Sequence, residues 1–315
     1  MSDLMFCLNA TLPVFFMMAM GYVLHRIGWV SDAFASGMNS FVFKLALPVS
    51  LFTELCDVDV AAVWDGGYIL FCLIVTALSI LIAVLCSLLL REDCASRGEF
   101  VQGAYRSSAS LLGMTYLENM YGTAESGSLM MLGAVPLYNV AAVIVLSLMN
   151  PNGGKFDSAR MKKTLIGILT NPIIWGIFLG FAWALLRLPV PQMLDTTLNY
   201  VGRCASPMGL LAMGASLDFS ALSKKIKPVI GASFLKLIGF PLLFMPVAAA
   251  LGFRGQELAA ALIMTGSAST VAGYVMAKNM GHEGTVSAGT VALTTLLASF
   301  TLTFWLFILR IRGYL

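Results

Sequence analysis

The apolar positions of this chain form long, nearly uninterrupted runs rather than the narrow stripes of a helix in a soluble protein. A helix needs about 20 mostly apolar residues to cross a bilayer, and most of the runs have this length. Polar and charged residues concentrate in the short connections between them. We therefore predict an all-α membrane protein whose ten transmembrane segments lie close to residues 5–26, 33–54, 67–90, 99–119, 126–148, 165–186, 196–216, 228–252, 257–279 and 284–309.

The composition supports a chain whose main partner is the lipid bilayer. Of its 315 residues, 59% are hydrophobic and 11% are charged, whereas soluble domains carry roughly 25% charged residues. No basic stripe with interleaved aromatic residues is present, so we expect no nucleic-acid partner. The six cysteines form no CxxC pair, and we expect neither a metal nor another cofactor.

The chain repeats itself at an offset of 159 residues. The matched pairs are Pro13 with Pro172, Gly21 with Gly180, Lys44 with Arg203, Pro48 with Pro207, and the tripeptide Ser-Ala-Ser at 108–110 with the same tripeptide at 267–269. A turn-rich stretch at 149–164 separates a first repeat, 1–154, from a second, 155–315. Each repeat holds five segments, an odd number, so the second is predicted to be inverted relative to the first, as in many transporters.

The basic residues predict an orientation in the membrane. The connections after segments 1, 3, 5, 7 and 9 carry eleven Lys and Arg residues, whereas the opposite side carries four. Cytoplasmic loops are enriched in Lys and Arg. We therefore predict that both termini face outward, away from the cytoplasm, in a cell inner (plasma) membrane.

Segments 4 and 9 are unusual because hydroxyl residues and glycine occur near the middle of each. We predict that these helices are broken near 110–113 and 269–273 and that they cross. The N-terminus of a half-helix has free N–H groups and a positive dipole end, which attract anions. The alternative is that the small residues only allow neighbouring helices to pack closely.

Two repeat-related cations and one amide extend the predicted site. Lys44 and Arg203 each precede a proline by four residues, and they either face a cavity or extend to the interface. Asn139 in segment 5 either contacts substrate or makes an interhelical hydrogen bond. The candidate substrate-binding residues are Ser108, Ser110, Gly113, Asn139, Ser267, Ser269, Thr270, Gly273, Lys44 and Arg203.

The titratable residues argue against other kinds of chemistry. Glu54 and Glu118 lie near segment ends, so we expect no buried carboxylate that relays protons. The two histidines, His25 and His282, lie at loop edges. Without a nucleophile paired with a base, we do not expect an enzyme.

The order and spacing of these features resemble the auxin efflux carrier family, whose bacterial members include malonate and malate transporters. The likeness covers nearly the whole chain and includes residues 12–24, 41–48 (Phe-Val-Phe-Lys-Leu-Ala-Leu-Pro) and 171–180. Where plant members have Asn-Pro-Asn at the crossing, this chain has Ser-Ala-Ser at both positions. The family is also related to the bile-acid/sodium symporter fold.

This resemblance implies a scaffold of segments 1, 2, 6 and 7 and a transport domain of segments 3–5 and 8–10. Substrate would be held where segments 4 and 9 cross, and a homodimer would form through the scaffold helices. The resulting prediction is a secondary transporter of a small organic anion, a carboxylate, that works by elevator-type alternating access. A sodium-coupled symporter of the bile-acid type and a non-transporting membrane sensor are the alternatives.

Overall fold

The computed structural model describes residues 2–56, 65–90, 92–109, 113–150, 166–167 and 169–315, with side chains from residue 12 onward. Each of the ten predicted segments contains helix in these ranges. In chain order the helices are α1 Ser2–Arg26, α2 Asp32–Cys56, α3 Gly66–Leu89, α4 Cys94–Tyr105, α5 Met114–Tyr121, α6 Glu125–Leu148, α7 Pro172–Leu186, α8 Gln192–Arg203, α9 Ala205–Ala215, α10 Phe219–Lys224, α11 Ile226–Ala250, α12 Gly255–Gly266, α13 Val271–Asn279 and α14 Thr285–Ile311. The predicted boundary between residues 154 and 155 lies outside the described residues.

Several of these helices have the length and composition of membrane spans. Within the described ranges, six are long and apolar enough to cross a membrane: α2, α3, α6, α11, the α12–α13 pair and α14. Two shorter apolar helices, Leu12–Arg26 and Pro172–Leu186, accompany them. The part of the chain that the structure describes therefore has the all-helical, multi-pass architecture expected from the apolar runs.

Prolines distort α2 and separate α8 from α9. A proline has no N–H group, and its ring clashes with the carbonyl four residues earlier. In α2 a π-helical turn, Val42–Ala46, lies just before Pro48. In the second repeat the helix is interrupted at Cys204, three residues before Pro207. Lys44 lies in the first of these distortions.

A third proline distorts α11. Its π-helical turn, Leu235–Gly239, precedes Pro241. The carbonyl of Leu237, four residues before the proline, accepts a hydrogen bond of 3.0 Å from the indole Nε1 of Trp305 in α14. The backbone group that the proline leaves without a helical partner is therefore satisfied by a neighbouring helix. Lys236 lies within this turn.

The two predicted helix breaks are present, but each begins earlier in the chain than expected. Helix α4 ends at Tyr105, and residues 106–108 are not helical. Helix α12 ends at Gly266, and α13 begins after residues 267–270. The hydroxyl of Thr270 caps α13 by accepting a hydrogen bond from the amide of Ala272. Because this cap sets the helix start, Gly273 lies inside the first turn of α13 rather than in the break.

Helices of the two repeats pack against each other through equivalent glycines. Helix α1 packs against α9, and the C-terminal half of α2 packs against α7. A Cβ atom on Gly21 would lie only 2.3 Å from the carbonyl oxygen of Leu211. A Cβ atom on Gly180 would lie 2.8 Å from the carbonyl oxygen of Phe52. Gly21 and Gly180 are 159 residues apart, and so are Phe52 and Leu211. The same close approach therefore occurs twice.

The remaining long helices surround the two breaks. Helix α3 packs against α4 and α6, and α11 packs against α4 and α14. The α12–α13 span is almost entirely buried, whereas the outer faces of α3 and α14 expose large apolar side chains. This arrangement places the least regular backbone in the most protected part of the molecule, as expected for non-helical segments at membrane depth.

Candidate functional site

The two helix breaks lie directly against each other. The amide of Ser108 donates to the carbonyl of Ala268 at 3.0 Å. The hydroxyl of Ser267 donates to the hydroxyl of Ser107 at 3.2 Å. Segments 4 and 9 therefore meet at their non-helical residues, and backbone groups freed by one break are paired by the other.

A cavity of about 390 Å³, the central cavity, lies between this junction and the helices α2, α8 and α9. It is lined by four of the predicted site residues, Ser108, Asn139, Arg203 and Thr270. Val271 and Ala272, the first residues of α13, also line it. The N-terminus of α13, with its positive dipole end, therefore contributes to the wall.

Arg106 also lines the central cavity and is its most deeply buried charged residue, with 4% of its surface exposed. Its Nη2 atom donates to Oδ1 of Asn139 at 2.9 Å, and its Nη1 atom lies 3.0 Å from the sulfur of Met276. Its Nε atom has no hydrogen-bond partner. No ion pair of the described residues involves Arg106, so its positive charge is not neutralised by a carboxylate.

Asn139 holds this guanidinium group in place. Its Nδ2 atom donates to the carbonyl of Val135 at 2.9 Å, which leaves Oδ1 free to accept from Arg106. Asn139 thus makes a hydrogen bond to another segment and also lines the cavity, and its contact with substrate stays a prediction. Arg106 was not among the residues predicted for the site, although a cation inside the apolar segment 4 is a visible signal.

Two further charges lie on the wall of the central cavity. Arg203, at the end of α8, is exposed. Glu54 in α2 is half-buried and accepts a hydrogen bond of 2.8 Å from the hydroxyl of Ser50. Glu54 lies near the end of its segment, as expected, and it also lines the cavity. The described lining thus carries two guanidinium groups and one carboxylate, a net positive charge.

A second cavity of about 250 Å³, the side cavity, lies on another face of the junction. Ser269 lines it, together with Thr115 and Thr295. Ser108 and Thr270 line both cavities. The junction of the two breaks therefore borders both cavities.

Three other predicted residues lie in neither cavity lining. Ser267 is fully buried and bonds to Ser107. The carbonyl of Gly273 accepts a hydrogen bond of 2.9 Å from Nε2 of Gln102. A Cβ atom on Gly113 would lie 3.1 Å from the side chain of Ile263. These positions fit the close-packing alternative, and their contact with substrate stays a prediction.

Lys44 and Ser110 complete the predicted set. The side chain of Lys44 is exposed on α2 and lies in neither lining, which fits the alternative in which it extends to the interface. Ser110 lies outside the described residues. Their part in the site also stays a prediction.

Two buried titratable residues were missed by the sequence analysis. Glu99 in α4 is 1% exposed and accepts hydrogen bonds from the amides of Gly284 and Ser287, at the start of α14. His282 is also buried, and its ring nitrogens lie 3.3 and 2.9 Å from two backbone carbonyls. The buried carboxylate of Glu99 was not predicted, and a role in relaying protons stays untested. His282 does lie in the loop between α13 and α14, as expected, but it is buried there. Both residues stand at ends of apolar runs, where the sequence gives little indication of depth.

An ion pair lies outside the membrane segments, just before α4. Nζ of Lys225 lies 2.7 Å from Asp93 and 2.8 Å from Glu92. Partial burial acts to raise the pKa of Asp93, but hydrogen bonds from Lys225 and Ser96 outweigh it and hold this pKa below its ordinary value. Partial burial likewise acts against the charge of Lys225, but the two carboxylates raise its pKa above the usual range. The pair joins the chain before α4 to the chain before α11.

Broken helices that meet between two cavities are the architecture of membrane transporters. Residues 6–306 match the family described as membrane transport protein, and the chain belongs to this family. The resemblance to the auxin efflux carriers is thereby confirmed. The family consists of transporters rather than enzymes.

Three relatives illustrate the similarity. An "Uncharacterized transporter" of Methanothermobacter thermautotrophicus is 23% identical over 306 residues, covering 94% of this chain and 96% of the relative. The "Uncharacterized transporter YfdV" of Escherichia coli K12 is 23% identical, covering 98% and 99%. A "Putative malonate transporter" of Rhizobium meliloti is 24% identical, covering 95% and 94%. The similarity extends over the full length of these transporters.

Proposed function

We propose that the protein is a secondary transporter that carries a small organic anion, a carboxylate, by elevator-type alternating access. The observation that carries this proposal is the buried guanidinium group of Arg106 on the wall of the central cavity. A buried cation without an acidic partner is costly and marks a functional site in membrane proteins. An anionic substrate supplies the missing partner.

The geometry suggests how a carboxylate is held. Arg106 offers a charge-assisted hydrogen bond, and its Nε atom has no partner to displace. Ser108 and Thr270 add hydroxyl donors, and the N-terminus of α13 adds its positive dipole end. Arg203 lies on the same wall and would face a second carboxylate group. The cavity volume lies near the lower end of the range for small-molecule sites, which suits a short dicarboxylate.

The similarity to a "Putative malonate transporter" supports this substrate class. Malonate has two carboxylates separated by one carbon, and the cavity has two guanidinium groups. Glu54 partly offsets the two guanidinium charges. The net charge of the lining is therefore small, but it is positive and favours a dianion over a neutral solute.

The fold proposed with this function has ten transmembrane helices in two inverted repeats. The equivalent contacts of Gly21 and Gly180 support it, because an inverted repeat generates each contact twice. Helices α1, α2 and α7–α9 would form the scaffold, and α3–α6 with α11–α14 the moving domain. The two cavities that share Ser108 and Thr270 support alternating access, since both spaces border on the same residues. Both termini outside the cytoplasm of an inner membrane, and a homodimer through the scaffold, stay predictions.

One comparison favours a second candidate, a non-transporting sensor. The "Lysosomal cholesterol signaling protein" of Mus musculus is 24% identical over 227 residues, which cover 66% of this chain but 25% of the relative. A signalling role would use the same cavity for binding without turnover.

Counterflow in proteoliposomes separates these candidates. Liposomes that contain the purified protein are loaded with unlabelled malonate, and uptake of labelled malonate is measured against a panel of succinate, malate, acetate and neutral malonamide. We expect uptake that is inhibited by the dicarboxylates and not by malonamide. Binding of an anion without any exchange would favour the sensor. Exchange of a neutral or cationic solute alone would contradict the anion proposal.

A further inference from the structure

A single ammonium group lies where the two helix breaks meet. Lys236 is fully buried, and its Nζ atom lies 2.6 Å from the hydroxyl of Ser107, 3.0 Å from the carbonyl of Met264 and 3.3 Å from the carbonyl of Tyr105. An ammonium group has three N–H donors, and three oxygens surround it. None of these oxygens belongs to a carboxylate, and no ion pair in the described part of the chain involves Lys236.

The charge is instead stabilised by helix ends. Tyr105 is the last residue of α4, and Met264 lies in the last turn of α12. A helix C-terminus has carbonyls without intrahelical partners and a partial negative charge. Two helices therefore direct their negative ends at one ammonium group.

The two carbonyls are also equivalent in the internal repeat, because Tyr105 and Met264 are 159 residues apart. The cation thus lies between two matching helix C-termini, one from each repeat. Ser107, which supplies the third oxygen, in turn contacts Ser267 in the other break. These three oxygens are of the kind that coordinates Na⁺ in transporters, where unwound backbone carbonyls and half-helix C-termini supply the ligands.

We propose that Lys236 is a tethered cation that occupies a monovalent-cation site formed by the two helix breaks. Its ammonium group supplies the positive charge that the two C-termini require, at a position where the oxygens would otherwise take up a free cation such as Na⁺. The junction consequently forms without a bound metal ion. This inference goes beyond the transport proposal and holds whichever solute the protein carries.

The proposal also opposes the sodium-coupled alternative at this position. A free cation and the lysine ammonium cannot occupy the same ring of oxygens, both for lack of space and because like charges repel. Removal of the lysine side chain, in contrast, leaves the oxygens and the negative helix ends in place with room for a small cation.

The test is the melting temperature of the purified protein in detergent, measured with choline chloride and with added NaCl or ethylammonium chloride at constant ionic strength. Lys236→Ala is expected to melt below the wild type in choline, which is too large to enter. Its Tm should rise with Na⁺ or ethylammonium, by about 2–5 °C for each tenfold increase above the Kd. The wild type and Lys224→Ala, an exposed lysine, should show no such dependence.

A second variant covers the case in which Lys236→Ala does not fold. Lys236→Met keeps most of the volume but carries no charge and leaves no space for an ion, so it should melt below the wild type in every salt. A Met variant as stable as the wild type would contradict the proposal. So would an Ala variant that shows no cation-specific rise, or a wild type whose Tm rises with Na⁺ as much as that of the Ala variant. No substrate is needed, so these outcomes are independent of the transport proposal.

Discussion

The substitution Arg106→Gln tests the proposed anion site most directly. Arg106 is 4% exposed and lies on the wall of the central cavity, with no carboxylate partner among the described residues. Glutamine keeps a polar side chain that can still hydrogen-bond to Asn139, but it removes the charge. Substrate affinity should therefore fall while the fold is retained.

The expected loss follows from the value of a charged hydrogen bond. Such a bond contributes about 1.5–3 kcal/mol, and about 1.4 kcal/mol corresponds to a tenfold change in Kd. Arg106→Gln should therefore raise the Kd for a dicarboxylate roughly 10- to 150-fold. Arg203 is exposed, so its field is screened by solvent and Arg203→Gln should cost less.

The assay is counterflow of labelled malonate over a range of concentrations. The amount of folded protein used for each liposome preparation is determined by size exclusion. Lys224→Gln is the matched control, because Lys224 is an exposed cation at the end of α10. Arg106→Lys, which keeps the charge but not the planar donor group, should show an intermediate affinity. The expected order of affinity loss is Arg106→Gln, then Arg203→Gln, then Lys224→Gln.

An unchanged concentration dependence in Arg106→Gln would refute the reasoning, whatever happens to the maximal rate. A loss of similar size in Lys224→Gln would also refute it, because the effect would then report net charge rather than a local contact. If Arg106→Gln aggregates, Arg106→Lys takes its place, and full affinity of Arg106→Lys for malonate would contradict the role given to the guanidinium group.

The other predictions concern packing, topology and pH. Gly21→Ala and Gly180→Ala should each lower the Tm by a similar amount, since both place a Cβ against backbone; a neutral result for either would argue against the equivalent contacts. A cysteine added after Leu315 should react with an impermeant reagent from outside the cell, and labelling only after lysis would overturn the topology. Because the folded pKa of Asp93 lies below its ordinary value, its pair with Lys225 adds stability above about pH 4 and loses it as pH falls. The Tm difference between wild type and Lys225→Ala should therefore narrow on acidification towards pH 3, and a constant difference would contradict the pairing.

The helices and both breaks could be predicted because their signals are local. Apolar runs mark the spans, and hydroxyl residues inside such runs mark the breaks. The start of α13 was misplaced by a few residues, since the cap at Thr270 depends on which hydroxyl reaches the amide of Ala272. Sequence spacing alone does not distinguish Thr270 from Ser269 as that cap.

The charges at the junction could not be placed from sequence because their partners are distant in the chain. Arg106 bonds to a residue 33 positions away, and Lys236 bonds to Tyr105 at a separation of 131. Each appears in the sequence as one cation in an apolar run, which is equally compatible with a side chain that extends to the interface. Lys44 is a cation of the same kind, and its side chain is in fact exposed. Only the packing of α11 and α6 against the junction distinguishes a buried cation from one that extends to the interface.

The helix ends at the junction carry partial charges of both signs, and each sign needs its own counter-charge. The C-termini of α4 and α12 are negative, and the chain itself provides their counter-charge through Lys236. The N-terminus of α13 is positive and lines the central cavity, where Arg106 adds a further positive charge. The counter-charge of the negative helix ends is covalently attached to the chain, so it is present at all times. In the proposed function, the positive helix end and Arg106 receive their counter-charge only when an anionic substrate enters. The same pair of broken helices would then hold a permanent cation on one side and bind an anion on the other.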